Sequence, residues 1–381
     1  MSSESTKISG SYAYSETLSG VHYGPGSVKT ALPTLLKQIG GKKALVVTGK
    51  SLFNKTDVVK TVESILRAEN AFGATFYDIG EHSPIAGIRA GVQAFKDAGA
   101  DIIVSVGGGS PIDASKAIIF HLKQEKPESP TYRQIAIPTT LSAAEYTIGA
   151  GYTNEVGQKV ALTAPDLGPT GIILDAELTL PTPERLWLST GIRALDHAVE
   201  TLYRPHVVPP VKALAYQAIR DLFEYLPKSK ANAQDVLVRQ SLQLASWMSM
   251  WPFKSVSYSP LGLSHALGHR LGASYGIPHG ITSCLTLASV VRLKSNIASE
   301  EDKKALSTAL IYLQQPSTGS IEGDAAKLGD LIEDLVTRLG LKSNLSDLAV
   351  PREHLPKIAE LALGGQTEIH GNVVKLLETL Y

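Results

Sequence analysis

The pattern of hydrophobic positions changes after Asp175. Before it, short runs rich in β-branched residues alternate with longer amphipathic segments. The runs at 44–48 and 101–106 are apolar almost throughout, as strands covered on both faces must be. This alternation predicts right-handed βαβ crossovers and a parallel sheet with helices on both faces. The predicted strands are 44–48, 75–79, 101–106, 134–138 and 170–174, and the predicted helices are 56–68, 85–98 and 112–122.

Beyond Asp175 the pattern is helical. Residues 178–191 contain two prolines and then Glu184, which is typical of a linker that leads into a helix. In residues 324–339 the aliphatic positions recur at helical spacing, and Gly340 stands where a C-terminal cap belongs. We therefore predict an α/β domain over residues 1–178 and a helical domain over residues 179–381, with the ligand cleft between them.

Composition narrows the classes of partner. The chain has 381 residues, of which 43% are hydrophobic, and its 36 basic residues balance 36 acidic ones. A balanced charge gives no electrostatic footprint for nucleic acid or an anionic membrane, so we expect small molecules and further copies of the chain as partners. The polar start MSSESTK does not resemble a signal peptide, and no apolar run approaches the roughly 20 residues of a membrane span. Cys284 is the single cysteine, so no internal disulfide can form, and we expect a buried, inert thiol and a cytoplasmic protein.

A glycine-rich turn carries the clearest chemical signal of the first domain. In VSVGGGSPIDASKA (104–117), three glycines and a serine separate a strand from a helix that is predicted to begin near Pro111. Bare backbone amides at a helix N-terminus suit a pyrophosphate, although a tight turn without a ligand is the alternative. Asp113 and Lys116 could order this loop, contact the ligand or simply be solvated.

A second loop, IPTTLSAAEYT (137–147), follows the next strand. Its hydroxyls on Thr139, Thr140 and Ser142 suit a carboxamide or a phosphate, whereas capping of a helix by Thr140 or Ser142 is the alternative. Lys159 could provide a countercharge for a phosphate or be solvated.

Three histidines stand close together in LSHALGHRLGASYGIPH (263–279). His265 and His269 are four residues apart, so on a helix they share one face. His279 follows Pro278 on a turn that should fold back towards that face. Imidazole is a metal ligand and also exchanges protons near neutral pH, so both chemistries stay open. Upstream of this stretch, Trp251, Phe253 and Lys254 could line the substrate pocket or belong to the core.

Five motifs in this order resemble those of the iron-type (group III) alcohol dehydrogenase family: GGGSPIDASK, IPTTLSAAE, LDAELTLPTP, ALDHAVETLY and HALGHRLGASYGIPHG. The resemblance spans essentially the whole chain, and VHYGPGSV, PTTLSAAEYT and ETLYRPHVVP are most similar to the maleylacetate reductase branch. It implies the iron-containing alcohol dehydrogenase and dehydroquinate synthase-like fold, with an α/β dinucleotide-binding domain and an all-α domain. It also suggests a homodimer, in which a strand near residues 11–23 could pair across subunits.

The resemblance implies a nicotinamide cofactor. Relatives that favour NAD often carry an aspartate at the end of the first strand, which repels a 2′-phosphate. Here Gly49 holds that place beside Lys50 and Ser51, so both NADH and NADPH are expected. The residues that the resemblance places against the pyrophosphate are Gly107, Gly108, Gly109 and Ser110, with Thr139, Thr140 and Ser142 near phosphate or nicotinamide.

The resemblance also exposes a departure. Metal-dependent relatives hold one iron or zinc ion with three histidines and an aspartate four residues before the first of them. Here Arg193 stands four residues before His197, while His197, His265 and His279 keep the histidine positions. A guanidinium cannot ligate a cation and repels it, so no metal is expected. Asp196 is the alternative carboxylate, although its side chain is rotated by about 100 degrees from that of His197 on a helix.

A positive charge in place of the metal suits the substrate that the branch implies. Maleylacetate is a dianion whose ketone is conjugated to a C=C bond, and hydride delivered to the alkene pushes charge onto the ketone oxygen. Arg193 offers a planar fork for a carboxylate, unless it pairs with Asp196 or Glu200. His269 is the candidate proton donor to carbon, and the candidate electrophiles are His197, His265 and His279.

Three functions therefore stay open. The first is metal-independent reduction of maleylacetate, or a close unsaturated oxo-diacid, to 3-oxoadipate. The second is a metal-dependent alcohol dehydrogenase of the same fold. The third is a protein that keeps the nucleotide cleft for binding or for a non-redox reaction.

Overall fold

The computed structural model describes residues 17–80, 84–129, 131–155, 159–250 and 259–381, plus the backbone of 13–14 and 253–254; the side chain of Lys159 is not described. The strands are β1 (Ala13–Tyr14), β2 (Gly20–Tyr23), β3 (Ala44–Gly49), β4 (Phe72–Ile79), β5 (Ile102–Gly107), β6 (Arg133–Pro138), β7 (Gly149–Thr153), β8 (Lys159–Thr163), β9 (Gly171–Leu174) and β10 (Phe253–Lys254). The helices are α1 (Val28–Ile39), α2 (Lys50–Lys55), α3 (Val58–Ala68), α4 (Ile85–Asp97), α5 (Gly109–Glu125), α6 (Glu184–Tyr203), α7 (Pro209–Ala231), α8 (Val236–Ser249), α9 (Leu263–Tyr275), α10 (His279–Ile297), α11 (Glu300–Tyr312), α12 (Ile321–Arg338), α13 (Leu355–Leu363) and α14 (His370–Thr379).

A six-stranded parallel sheet forms the first half, in the order β2-β9-β6-β5-β3-β4. Its central strands are buried on both faces. Val46 and Val104 pack into one apolar cluster with α1 and α3, while Leu45 and Ile103 pack into another with α4 and α5. Because successive side chains of a strand point to opposite faces, an apolar run without alternation is what two helical layers require. The predicted parallel α/β sheet is confirmed.

The carboxyl ends of three neighbouring strands meet at one edge of this sheet. β5 pairs with β3 on one side and with β6 on the other, so Gly49, Gly107 and Pro138 end adjacent strands. Open α/β sheets bind ligands at such strand ends. The fold therefore places the glycine loop and the threonine loop side by side.

The second half is helical, as predicted, and α6 runs through its core. From Trp187 to Tyr203 every residue of α6 is buried. The start of α10 approaches α6 closely, since a Cβ added to Gly280 would lie 2.7 Å from the backbone carbon of Ser189. This close approach requires glycine, and it brings His279 beside α6.

The N-terminal segment forms two strand pairings within the chain. Gly20–Tyr23 pairs in parallel with β9 of the same chain, and Ala13–Tyr14 pairs antiparallel with β10 of the same chain. β2 lies at the edge of the sheet, so these contacts do not test the expected pairing of this segment across subunits, which stays a prediction; residues 11–12 and 15–16 lie outside the described part. The homodimer stays a prediction, as does the domain boundary at 178/179. Among the described helices, none combines the length and apolar character needed to cross a membrane.

Candidate active site

A cleft of about 1610 Å³ runs from the strand ends to α6 and α9. It brings together all the predicted site residues whose side chains are described, from both halves of the chain. Those residues are Gly49, Gly107, Gly108, Gly109, Ser110, Asp113, Thr139, Thr140, Ser142, Arg193, His197, His265, His269 and His279. Lys159, Trp251, Phe253 and Lys254 were also candidates, and their side chains lie outside the described part.

The glycine loop forms a cradle that side chains would fill. Gly107 has φ 138°, a conformation that residues with a Cβ rarely adopt, and a Cβ on Gly108 would lie 3.1 Å from Thr140 Cγ2. α5 begins at Gly109, slightly before the predicted Pro111, and its N-cap residue, Gly108, makes no side-chain capping bond. The first amide groups of a helix have no partner within the helix and attract anions, so a glycine loop at this position fits a pyrophosphate.

Thr140 and Ser142 do not act as helix caps. The turn that follows them is a 3₁₀ helix, Ala144–Tyr146, whose N-cap position is Ala143 and has no side-chain capping bond. The capping alternative is therefore wrong. Both residues line the cleft, as contact of their hydroxyl groups with a carboxamide or a phosphate would require.

Lys116 connects the glycine loop with the loop at 137–147. Of the three roles that the sequence left open for it, the structure therefore shows the ordering of a loop. Its buried ammonium group donates to the carbonyl oxygens of Ala144 at 2.6 Å and Gly149 at 2.8 Å. It also donates to Thr147 Oγ1 at 2.9 Å and Asp113 Oδ1 at 3.3 Å. Lys116 thus orders the loop that follows Ser142 from inside the protein.

Glu145 is a buried acid at the cleft that the sequence did not single out. It stands in the IPTTLSAAEYT motif, is 1% exposed, and its carboxyl oxygens have no hydrogen-bond partner within the described residues. Burial raises the pKa of Glu145 to about 7, against the opposing effects of Tyr146 and Lys116. No local pattern signals this burial, because it depends on the packing of distant segments.

The raised pKa of Glu145 makes stability depend on pH. Below about pH 4.5 the carboxyl is protonated in both the folded and the unfolded chain. Between that value and about 7 the folded chain keeps a proton that the unfolded chain loses, so stability should fall as pH rises. Glu145→Gln should remove up to about 3 kcal/mol of this fall. Urea unfolding at pH 5 and pH 7.5 measures it, and an equal pH dependence in both proteins would contradict it.

Arg193 lies on α6 and faces both a carboxylate and the cleft. Its Nη1 donates to Ser283 Oγ at 3.3 Å and lies 3.9 Å from Asp196 Oδ2. The pairing with Asp196 that the sequence offered as an alternative is therefore present. The structure gives Nε and Nη2 no partner among the described residues, and Arg193 lines the cleft, so part of its planar fork is available to a ligand.

Two buried carboxylates stand behind the cleft wall and orient His265. Its Nδ1 lies 2.9 Å from Glu200 Oε2 and 3.4 Å from Asp196 Oδ1, and both acids are fully buried. Glu200 Oε1 also accepts bonds from Ser264 N at 2.7 Å and Tyr203 Oη at 3.2 Å. Nδ1 therefore carries a hydrogen, and Nε2, which has no partner within the described chain, is left towards the cleft.

The charged groups around His265 shift the pKa values of their neighbours. Burial and Arg193 lower the pKa of His265, but Asp196 and Glu200 outweigh them and the net pKa is raised. Burial alone would raise the pKa of Asp196, but His265 and Arg193 lower it. Burial, His265 and Arg193 together hold the pKa of His197 well below its ordinary value. The network thus places a guanidinium and an imidazole beside two buried acidic side chains, which favour the cationic form of His265.

The four histidines form one continuous group. Ring centroids are 4.7 Å apart for His197 and His265, 6.4 Å for His265 and His269, and 5.4 Å for His269 and His279. Gly276, the C-cap of α9, is in the left-handed conformation and α10 begins at His279, so the predicted fold-back of His279 is confirmed. His269 is exposed in the cleft, whereas His197 and His265 are buried.

These donors do not fit the metal set that the resemblance implies. Arg193 occupies the aspartate position, and its positive charge acts on His197 and His265, the imidazoles that would hold the ion. Among the described residues, the potential ligands whose donor atoms lie within 4.8 Å of one another are instead Asp196, Glu200 and His265. A metal among them would have to displace the Nδ1 proton of His265 and approach the guanidinium.

The two halves of the cleft differ in charge. The described lining of the sheet half includes four acidic residues and two lysines: Asp78, Asp113, Glu145, Asp166, Lys50 and Lys55. From residue 181 onward, the described lining residues include two arginines and four histidines and no aspartate or glutamate. The second arginine, Arg204, was missed from the sequence, although it follows Arg193 at helical spacing. Cys284 is buried, as expected, and burial raises the pKa of its thiol.

Comparison with known proteins agrees with this architecture. Residues 19–176 match the family model described as iron-containing alcohol dehydrogenase, and residues 187–378 match its C-terminal counterpart. The chain is 31% identical to 1,3-propanediol dehydrogenase of Citrobacter freundii, covering 90% of each chain. It is 29% identical to maleylacetate reductase of Rhizobium sp. (strain MTP-10005), covering 92% of this chain and 91% of that one. The crystal structure of a 1,3-propanediol oxidoreductase superposes with a TM-score of 0.87 at 27% identity, covering 97% of this chain and 100% of that one. The chain belongs to the iron-containing alcohol dehydrogenase family.

Proposed function

We propose that the protein is an NADH- or NADPH-dependent reductase of an acidic, unsaturated ketone, with maleylacetate as the candidate substrate and 3-oxoadipate as the product. One observation carries the proposal: the described lining of the helical half of the cleft has two arginines and four histidines and no carboxylate. Such a wall attracts a dianion and stabilises negative charge as it develops. Two relatives carry the name maleylacetate reductase, each at under 30% identity.

The cofactor would lie along the sheet half of the cleft. Its pyrophosphate would contact Gly107, Gly108, Gly109 and Ser110, with Thr139, Thr140 and Ser142 towards the nicotinamide. A reduced nicotinamide bound there supplies a hydride. Near the adenosine end, Gly49 brings no negative charge against a 2′-phosphate, and Lys50 lies 3.9 Å from Asp78, so its charge is partly offset. NADH and NADPH are therefore both proposed.

The chain's own residues would bind the substrate and move its protons. Arg193 would hold a carboxylate with the part of its fork that faces the cleft. His265 would point Nε2 at the ketone oxygen, where charge develops after hydride arrives at the alkene, with His197 and His279 beside it. His269 is exposed, so it can exchange protons with solvent and would donate one to the carbon next to the ketone. We propose that these steps need no metal.

A metal-dependent alcohol dehydrogenase is the second candidate. The observation in its favour is the buried group of Asp196, Glu200 and His265, whose donor atoms lie within 4.8 Å of one another. Neither carboxylate lines the cleft, so an ion held there would be separated from a substrate by the ring of His265.

The decisive experiment follows NADH and NADPH absorbance with maleylacetate, with and without EDTA, and measures iron and zinc per chain. We expect turnover that EDTA leaves unchanged and a metal content well below stoichiometric. Loss of activity in EDTA and its return with Zn²⁺ or Fe²⁺ would favour the second candidate. Tight NADH binding without turnover of any enone or carbonyl would favour a binding or non-redox role.

A further inference from the structure

The loop that contains Glu145 packs against the start of α5, where the pyrophosphate of the cofactor is proposed to bind. A Cβ added to Gly109 would lie 3.4 Å from Ser142 Oγ and 3.8 Å from Ala144 Cβ, so the loop contacts the first residue of the helix. Glu145 follows Ala144 directly and lines the cleft. Because consecutive Cα atoms are about 3.8 Å apart, the backbone of Glu145 lies within about 10 Å of the helix start.

Within the described part of the chain, the carboxyl group of Glu145 forms no ion pair. The residue is 1% exposed, and neither of its carboxyl oxygens has a hydrogen-bond partner among the described residues. The buried ammonium group of Lys116 instead donates to two carbonyl oxygens, a threonine hydroxyl and Asp113. Burial of an ionised carboxylate without a partner is costly, so the protonated form is favoured.

The groups around Glu145 hold its protonation equilibrium near neutral pH. Burial raises its pKa to about 7, while Tyr146 and Lys116 oppose this rise and Asp113 adds to it. The loop also contacts α8 through Trp247, which packs edge-on against Tyr146 and carries no charge. A carboxyl group in this balance responds to any new charge that binds nearby.

NADH bound on the glycine loop would bring two negative charges and no positive charge. At about 10 Å, and at the effective dielectric constant of a protein, one charge changes the ionisation equilibrium of an acid about tenfold. The change favours the protonated carboxyl group, because a like charge disfavours the ionised form. At slightly alkaline pH, the NADH complex would therefore hold a proton that the free protein has lost.

We propose that Glu145 takes up a proton from solvent when NADH binds, so that the site binds NADH and a proton together and loses affinity for NADH as pH rises. The carboxylate becomes a carboxylic acid, and this O–H bond is the one bond that forms. The inference rests on the proposed function, because it takes the cofactor to lie on the glycine loop. It assigns the pH dependence of cofactor binding to a residue outside the histidine cluster.

The test measures the proton directly. NADH is titrated into the full chain at pH 7.5 by calorimetry in MOPS, HEPES and Tris, because the observed heat varies with the ionisation heat of the buffer in proportion to the protons taken up. Wild type should take up about half a proton per NADH more than Glu145→Gln, which keeps the shape of the side chain and cannot titrate. The comparison between the two proteins removes the contribution of the cleft histidines. Glu128→Gln is the control and should match wild type, since Glu128 is exposed and is not among the residues that line the cleft.

The affinity for NADH provides a second measurement of the same equilibrium. From pH 6.5 to pH 8.5 the dissociation constant should rise about sixfold in wild type and less than twofold in Glu145→Gln. Equal proton uptake in both proteins, or proton release in wild type, would overturn the inference. The melting temperature shows whether Glu145→Gln is folded, and Glu145→Met, which removes the same carboxyl group, gives the answer if it is not.

The outcomes separate this inference from the proposed function. Proton uptake that depends on Glu145, without turnover of maleylacetate, would refute the proposed function and keep the inference. Turnover by a protein that binds NADH without this uptake would do the reverse. A protein that does not bind NADH would refute both.

Discussion

Replacing Arg193 by methionine should reduce kcat/KM for maleylacetate by about 10²- to 10³-fold, the usual loss when one preorganised donor to developing charge is removed. Methionine fills similar space without the charge or the N–H groups. The kcat/KM of Arg193→Lys should lie between those of wild type and Arg193→Met, because lysine keeps the charge and loses the planar fork. Steady-state kinetics under saturating NADH measure the effect.

Two controls separate this loss from a folding defect. The NADH dissociation constant should stay within about twofold, because the cofactor is proposed to bind on the sheet half of the cleft. An uncharged enone or aldehyde, if it is turned over at all, should lose less than tenfold, since Arg193 is proposed to act on a carboxylate. An Arg193→Met protein as active as wild type on maleylacetate would refute the role proposed for this residue.

Glu200→Gln should lower the free energy of unfolding by about 3 kcal/mol, because it leaves buried positive charge without its partner. Glu200 accepts bonds from His265 Nδ1, Ser264 N and Tyr203 Oη in a fully buried position. Glutamine keeps the shape but removes the charge that helps to balance Arg193. Urea unfolding measures the loss.

A double variant tests whether charge balance is the cause. Arg193→Met combined with Glu200→Gln removes one charge of each sign, so it should be less destabilised than the sum of the single variants by more than about 1 kcal/mol. Glu224→Gln provides the matched control. Glu224 pairs with Lys228 at the exposed surface of α7, where such a pair contributes less than about 1 kcal/mol. Additive single effects would show that packing, and not charge, explains the loss.

Much of the fold could be predicted because its signals are local. The strand runs at 44–48 and 101–106 appear as β3 and β5 within about a residue, and Gly340, at the end of α12, has the left-handed φ of 71° that its predicted cap requires. The periods of strands and helices repeat every two to four residues, so they can be recognised directly in the sequence. A strand near residues 11–23 was expected only from the family resemblance, and its pairing with β9, about 150 residues downstream, could not be derived from local patterns.

For the site, the order of residues by itself determined which chemical groups the protein has: the glycine loop, the four histidines and an arginine in an aspartate's position. Only the tertiary structure decided which of them act on each other. Glu200 and His265 are 65 residues apart in sequence and 2.9 Å apart in space, and the burial of Glu145 and the place of Arg204 beside the histidines have the same origin. Interaction energies depend on distance and dielectric constant, and both are fixed only when distant segments pack together.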